Sequence, residues 1–277
     1  MPFVCSNYHT HTTRCQHAVG TEAEYLDQAV RSGYRALGFT DHIGWPFPNG
    51  YVSPIRMRAS QMPEYASAIL RLKEEYSSRI HVHLGAECEY FPDFLPWLKE
   101  EKERLGLEYL ILGVHYPPNE IGYSQFAGST TPRELSTYTE LAVAGMESGL
   151  FTYLCHPDLP LKTYPRFDRW ARRMSEELCA AAKRLDMPLE YNLAGLWLRG
   201  AVPTGLGYTS DEFWQIAADY GCTAIIAMDA HKPEALSNTD AVRTAYQKLT
   251  SMGIPVLDLL PGLDARKDDE QDAKNCF

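Results

Sequence analysis

Metal-binding side chains recur at the ends of short apolar runs along this chain, and no other feature constrains its fold as much. Seven of the nine histidines lie in such places, together with a glutamate and an aspartate. The segments are NYHTH at 7–11, His17, TDH at 40–42, GAECEY at 85–90, GVHY at 113–116, CHPD at 155–158 and MDAH at 228–231. All but the one at His17 follow or close a β-like stretch. Histidine and carboxylate are ligands for zinc, manganese and iron. Delivered repeatedly from strand ends, they point to one multinuclear metal site.

The apolar runs themselves predict strands near residues 3–8, 36–40, 81–87, 109–114, 151–155, 188–192 and 223–228, with an eighth at 254–260. Helical periodicity predicts helices over 22–33, 62–78, 131–149, 166–186, 209–221 and 237–253. The first closes on Gly33, a natural C-terminal stop, and Thr209-Ser210 can cap the start of the fifth, with Glu212 in its first turn. Strands alternating with helices imply a parallel sheet with helices outside it. An open sheet places its ligand at one switch point and uses few strand ends. Here almost every strand end carries a metal-type residue. Only a closed or nearly closed barrel gathers all those ends around one mouth.

The length of 277 residues suits a single α/β barrel, expected over 1–263. The polar stretch 264–277 has little to bury and is expected to be a mobile tail. Two irregular loops interrupt the alternation at 45–54 and 117–129. A net charge of −10 argues against nucleic acid or an anionic membrane as partner, so an anionic substrate would need local cations. Seven scattered cysteines with no C-x-x-C pair, and no basic-then-apolar leader in MPFVCSNYH, predict reduced thiols and a cytoplasmic location.

His9 and His11 are two apart on an extended segment, so both face one side, as do Asp229 and His231, and Glu87 and Glu89. His81 and His83 form the same pattern at the start of a strand and are expected to be structural. Asp41 and His42 should face opposite ways. His42 is the expected ligand, and Asp41 either accepts from an imidazole or caps a turn. Glu87 suits a bridging role, because one carboxylate can bind two cations. Glu89 on the same face is either a further site residue or a rim residue. His115 and His156 each follow an apolar strand directly. Cys88 and Cys155 adjoin ligand candidates, so the pleat should turn them to the opposite face as small core residues.

Taken in order, H-x-H, His17, TDH, G-x-E, the histidine after the fourth strand, CHPD and DAH resemble the PHP (polymerase and histidinol phosphatase) superfamily across residues 7–231. ECEYFPDF, CHPDL and LEYNLAGL at 189–196 are most similar to its stand-alone histidinol-phosphate phosphatases. The resemblance implies a distorted (β/α)7 TIM-like barrel holding two to three divalent ions of zinc, iron or manganese at the C-terminal strand ends. It implies His9, His11, Glu87 and Asp229 on one ion, Glu87, His115 and His156 on a second, and His17, His42 and His231 on a third. It further implies a phosphomonoesterase of histidine biosynthesis that hydrolyses L-histidinol phosphate through a metal-bridging hydroxide. A phosphoesterase for nucleotides, phosphodiesters or phosphotyrosine is the alternative. A non-catalytic metal-binding domain is a further one, although all nine ligand positions are filled. Arg199 is the expected phosphate-binding cation, with Arg14, Arg133, Arg166 and Lys232 as weaker candidates. The cationic part of that substrate would favour an acidic rim, with Glu89, Glu120 or Asp158 available for it.

Overall fold

The computed structural model describes residues 4–198, 205–260 and 262–263. Eight strands are present among them: β1 (Ser6–Asn7), β2 (Ala36–Phe39), β3 (His81–Cys88), β4 (Tyr109–Leu112), β5 (Tyr153–Leu154), β6 (Leu189–Asn192), β7 (Ala224–Ala227) and β8 (Val256–Leu257). Each pairs in parallel with the next in sequence, giving the order β1 to β8 without a swap. The sheet curls until its ends meet. A bridge joins Thr10, beyond β1, to Ala230, beyond β7, with His11 N donating to Ala230 O at 2.9 Å. At the opposite end β8 wedges beside β1, where Asp258 accepts from Cys5 N at 2.7 Å. Seven strands therefore surround the mouth and the eighth fills the base, a TIM-like α/β architecture as expected.

The helices are α1 (Glu22–Arg31), α2 (Met62–Glu75), α3 (Leu95–Leu105), α4 (Pro132–Glu147), α5 (Arg169–Arg184), α6 (Ala194–Leu198), α7 (Asp211–Asp219) and α8 (Thr239–Ser251). Two start with capping boxes, Thr21 with Glu24 and Thr131 with Glu134, which satisfy otherwise unpaired N–H groups of the first turn. Ser210 caps α7, accepting from Phe213 N at 3.4 Å. Helical periodicity does not predict α3. Its stretch KEEKER leaves only Leu98 and Leu105 buried, too sparse a stripe to show helical periodicity. None of the described helices is long and apolar enough to cross a membrane. The expected tail at 264–277 lies outside the described residues.

Inside the lower barrel, large and small residues alternate. Tyr8, Tyr109 and Tyr153 are fully buried there, and the hydroxyls of Tyr109 and Tyr153 donate to Tyr8 O at 2.9 and 3.2 Å. A Cβ on Gly38 would lie 1.9 Å from the Tyr109 hydroxyl, so β2 must offer no side chain at that level. This plug of rings is the floor on which the polar mouth rests. His83 belongs to this lower level, beside the Tyr8 ring at 5.7 Å and the Glu108 carboxylate at 3.3 Å, while His81 opens β3.

Candidate metal centre

All nine predicted ligand residues converge at the mouth. Glu87, at the end of β3 and 1% exposed, is the hub. Its Oε1 lies 3.0 Å from His156 Nε2 and 3.4 Å from His115 Nε2. Its Oε2 lies 2.8 Å from His42 Nδ1, 3.4 Å from His11 Nε2 and 3.6 Å from His9 Nε2. Asp229 Oδ1 closes the second group, 3.4 Å from His9 Nε2 and 3.2 Å from His11 Nε2. His17 and His231 stand at the outer edge with their Nε2 atoms 3.0 Å apart, and His42 faces the His17 ring at 5.4 Å.

Backbone geometry makes this convergence possible. A Cβ on Gly113 would sit 2.2 Å from Glu87 Oε1, so the glycine of GVH clears room for the hub carboxylate. His156 and Asp229 have φ of 32° and 49°, a region that costs most non-glycine residues energy. The turn at His156 also breaks the pleat alternation. Cys155 therefore does not point away, as expected of a strand neighbour, but lies inside the barrel under the hub. Its Sγ is 3.3 Å from Glu87 Oε1 and 2.9 Å from Leu112 O. Cys88, by contrast, packs in the main apolar core.

The donor set fits divalent cations. His42 Nδ1 and Glu87 Oε2 are only 2.8 Å apart, yet both are buried without an aligned hydrogen bond, as expected of lone pairs left free for cations. Donor atoms within 4.8 Å of one another occur in several overlapping trios, among them His9–His11–Glu87, His9–His156–Asp229, His11–His42–His231 and Cys15–His17–His231. The electrostatics agree. Burial would raise the Glu87 carboxyl, but His42, His115 and His9 outweigh it and hold its pKa well below the usual range. Asp229 is likewise held low against burial, chiefly by His9 and His11. Burial and then the neighbouring His231 push His11 down to about 3, leaving a neutral imidazole. His9 differs: burial lowers it, but Glu190, Asp229 and Glu87 prevail and raise it well above 6.5.

The residue that orients His9 is Glu190 on β6, which is not among the candidates the sequence marks. Fully buried, its Oε1 meets His9 Nδ1 at 2.7 Å, and its Oε2 accepts from His156 N and Asn192 Nδ2, each at 2.9 Å. The period-two reading of LEYN offered a signal, since Glu190 and Asn192 share one face of β6. Asp41 does not take this part. Its carboxylate accepts from Thr12 N at 2.8 Å and Thr12 Oγ at 2.7 Å, so it pins the turn between His11 and His17 instead of orienting an imidazole. Burial pushes Asp41 up to about 6.

The acidic rim is not formed. Glu89, Glu120 and Asp158 are all buried and internally engaged. Glu89 faces His115 and Arg56, Glu120 faces Arg56, and Asp158 accepts from Ser210 N at 2.6 Å. Arg199 lies outside the described residues. Of the weaker cation candidates, Arg14 is bound by Glu22 and Glu64, while Arg133, Arg166 and Lys232 are exposed and none lines the cavity over the site. That cavity has a volume of about 430 Å³. Its one lining cation among the described residues is Lys162, half-buried at the end of a 3-10 turn (Leu159–Lys162) six residues beyond His156. Gln125, Leu159, Leu198 and Tyr208 form other parts of the wall.

Residues 7–194 match the PHP domain family model, and the chain belongs to that family. It is 31% identical over 231 residues to a Deinococcus radiodurans protein named "Probable histidinol-phosphatase", covering 81% of this chain and 85% of that one. A Bacillus subtilis protein named "Histidinol-phosphatase" is 28% identical over 123 residues, 42% of this chain and 45% of that one. Among solved structures, a histidinol phosphate phosphatase from Lactococcus lactis, complexed with zinc, L-histidinol and phosphate, superposes with a TM-score of 0.74 at 17% identity. The match covers 96% of this chain and all of that one, and shows a shared fold.

Proposed function

We propose that this chain is a metal-dependent phosphatase that hydrolyses L-histidinol phosphate to L-histidinol and inorganic phosphate. The observation that carries the reaction is the Glu87 hub, whose two oxygens face separate groups of imidazoles. His9, His11, Glu87 and Asp229 would hold one ion, Glu87, His115 and His156 a second, and His17, His42 and His231 a third. Zinc, iron and manganese all suit this donor set. When bound, such ions make a water nucleophilic near neutral pH and offset charge on the phosphoryl oxygens. The substrate class comes from the relatives named histidinol-phosphatase in the same family.

The chain's own residues divide the work. Glu190 holds His9 by its Nδ1, which leaves Nε2 facing the hub. Asp41 and Thr12 keep the His11–His17 turn closed. Lys162 lines the cavity and offers the phosphate a point charge; Arg199, outside the described residues, is the further cation proposed from the sequence. The cavity matches a small ligand, since pockets for such molecules run to roughly 300–1,000 Å³. With no carboxylate on its wall other than Glu87 and Asp229 among the described residues, the organic half is met by Gln125, Tyr208 and apolar groups. The test is a panel of phosphomonoesters and phosphodiesters assayed with zinc, iron or manganese. L-Histidinol phosphate should have the highest kcat/KM. If generic monoesters serve equally well, the substrate assignment fails and only the phosphatase assignment stands.

A further inference from the structure

We infer that Arg56 is a positioning residue for one of the two ion sites that share Glu87, acting on His115 through Glu89. The inference rests on the reading of His115, His156 and Glu87 as ligands of one ion.

Arg56 comes from the loop between β2 and α2 and is only 1% exposed, unusual for a residue that keeps its charge. Its guanidinium forks between two carboxylates. Nη2 donates to Glu89 Oε1 at 3.1 Å and Nε to Glu120 Oε2 at 2.7 Å. Glu89 in turn grips His115 twice: its Oε2 accepts from the backbone N at 2.8 Å, and its Oε1 lies 2.8 Å from the ring Nδ1. A ring held at Nδ1 presents Nε2, which lies 3.4 Å from Glu87 Oε1. The Arg56 backbone carbonyl also accepts from Gln16 Nε2 at 2.6 Å, next to His17. One residue thus ties together the end of β3, the loop at 117–129 and the His17 turn.

The charges explain why an arginine is needed. Glu89 and Glu120 are both buried, and without the guanidinium each would be a carboxylate in a low-dielectric region with too few donors. Glu89 would then lose the partner that fixes its carboxylate in place, and its grip on the His115 N–H groups weakens. A lysine supplies the charge but cannot fork to two carboxylates in fixed directions. Partners of this kind, which orient a ligating imidazole, change metal affinity by about 10–100-fold when removed.

The experiment compares the full-length chain with Arg56→Met, Arg56→Lys, Glu89→Gln and His115→Ala. Zinc per chain is measured by elemental analysis after chelator competition, beside kcat and KM for L-histidinol phosphate and the melting temperature. Arg56→Met and Glu89→Gln should each bind one ion equivalent at least about ten-fold more weakly, with the remaining zinc unaffected. His115→Ala should lose the same equivalent, and adding Arg56→Met to it should remove no more. Arg56→Lys should recover part of the affinity. If Arg56→Met lowers the melting temperature but keeps full zinc affinity, Arg56 is structural only and the inference is overturned. Should Arg56→Met not fold, full zinc affinity in Glu89→Gln overturns it equally. A wild-type chain that binds zinc but does not cleave the phosphate ester would defeat the proposed reaction, while the zinc result for Arg56 would still stand.

Discussion

Replacing Glu190 by glutamine tests the site through a single proton. Three donors converge on the two oxygens of this fully buried carboxylate: His9 Nδ1, His156 N and Asn192 Nδ2. Glutamine keeps the size but has only one acceptor oxygen. If its oxygen takes the Oε2 position, the His156 and Asn192 bonds survive and the new NH2 meets His9 Nδ1. His9 can accept from that group only by moving its own proton to Nε2, the atom that faces Glu87 and Asp229. The lone pair offered to a cation is then lost. In the opposite orientation the amide keeps His9 but leaves the His156 N–H and Asn192 facing a donor. Either arrangement loses a hydrogen bond to a charged acceptor, about 1.5–3 kcal/mol. Metal affinity should fall by about 10–100-fold, equivalent to roughly 1.4–2.7 kcal/mol. Chelator-competition titration reads the affinity, and kcat/KM at saturating zinc shows how much is recovered by mass action. An affinity within about two-fold of wild type would refute the claim that Glu190 sets the His9 tautomer.

Glu87→Ala should reduce zinc content by more than one equivalent and abolish turnover, because both of its oxygens face ligand groups; a variant that lost a single equivalent would show that Glu87 does not bridge. Lys162→Met should leave zinc content intact and lower kcat/KM for L-histidinol phosphate by roughly 1.5–3 kcal/mol, and unchanged kinetics would remove Lys162 from phosphate binding. Arg199→Ala should cost roughly 2–4 kcal/mol in the same assay if it meets the transition state. Far from the site, Glu108 is held down to about 2 from 4.5 despite burial, by His83, the Leu84 N–H and Lys73. A depressed carboxylate stabilises the fold above its unfolded pKa, so this contribution is present above about pH 4.5 and is lost as pH falls towards 2. The shift corresponds to about 3 kcal/mol at most, and screening at a 25% exposed side chain reduces it to about 1–2 kcal/mol. Glu108→Gln should therefore melt lower at pH 7 and converge on wild type near pH 2–3, and a difference independent of pH would refute the charge assignment.

The sequence by itself determined most of the strand and helix alternation and the metal-type residues at the strand ends, although α3 shows no periodicity and His17 follows no strand. These follow from local rules, since a strand's pleat and its apolar content are written in neighbouring residues. His9 and His11 share a face because they are two apart, and the glycine of GVH precedes His115 whatever the rest of the chain does. What the tertiary structure decided depends on partners far apart in sequence. Glu190 reaches His9 across 181 residues, and Arg56 reaches Glu120 across 64. No local pattern marks such a carboxylate as an orienting group rather than a rim charge, which is why Glu89, Glu120 and Asp158 were misplaced. Cys155 was misplaced because the positive φ of His156 cancels the alternation on which the expectation was built. Lys162 reached the cavity only because a short 3-10 turn folds back over the mouth. Periodicity fixes which face a side chain takes, but only the closed barrel fixes which charges meet, because Coulomb and hydrogen-bond energies depend on distance in space and not on separation along the chain.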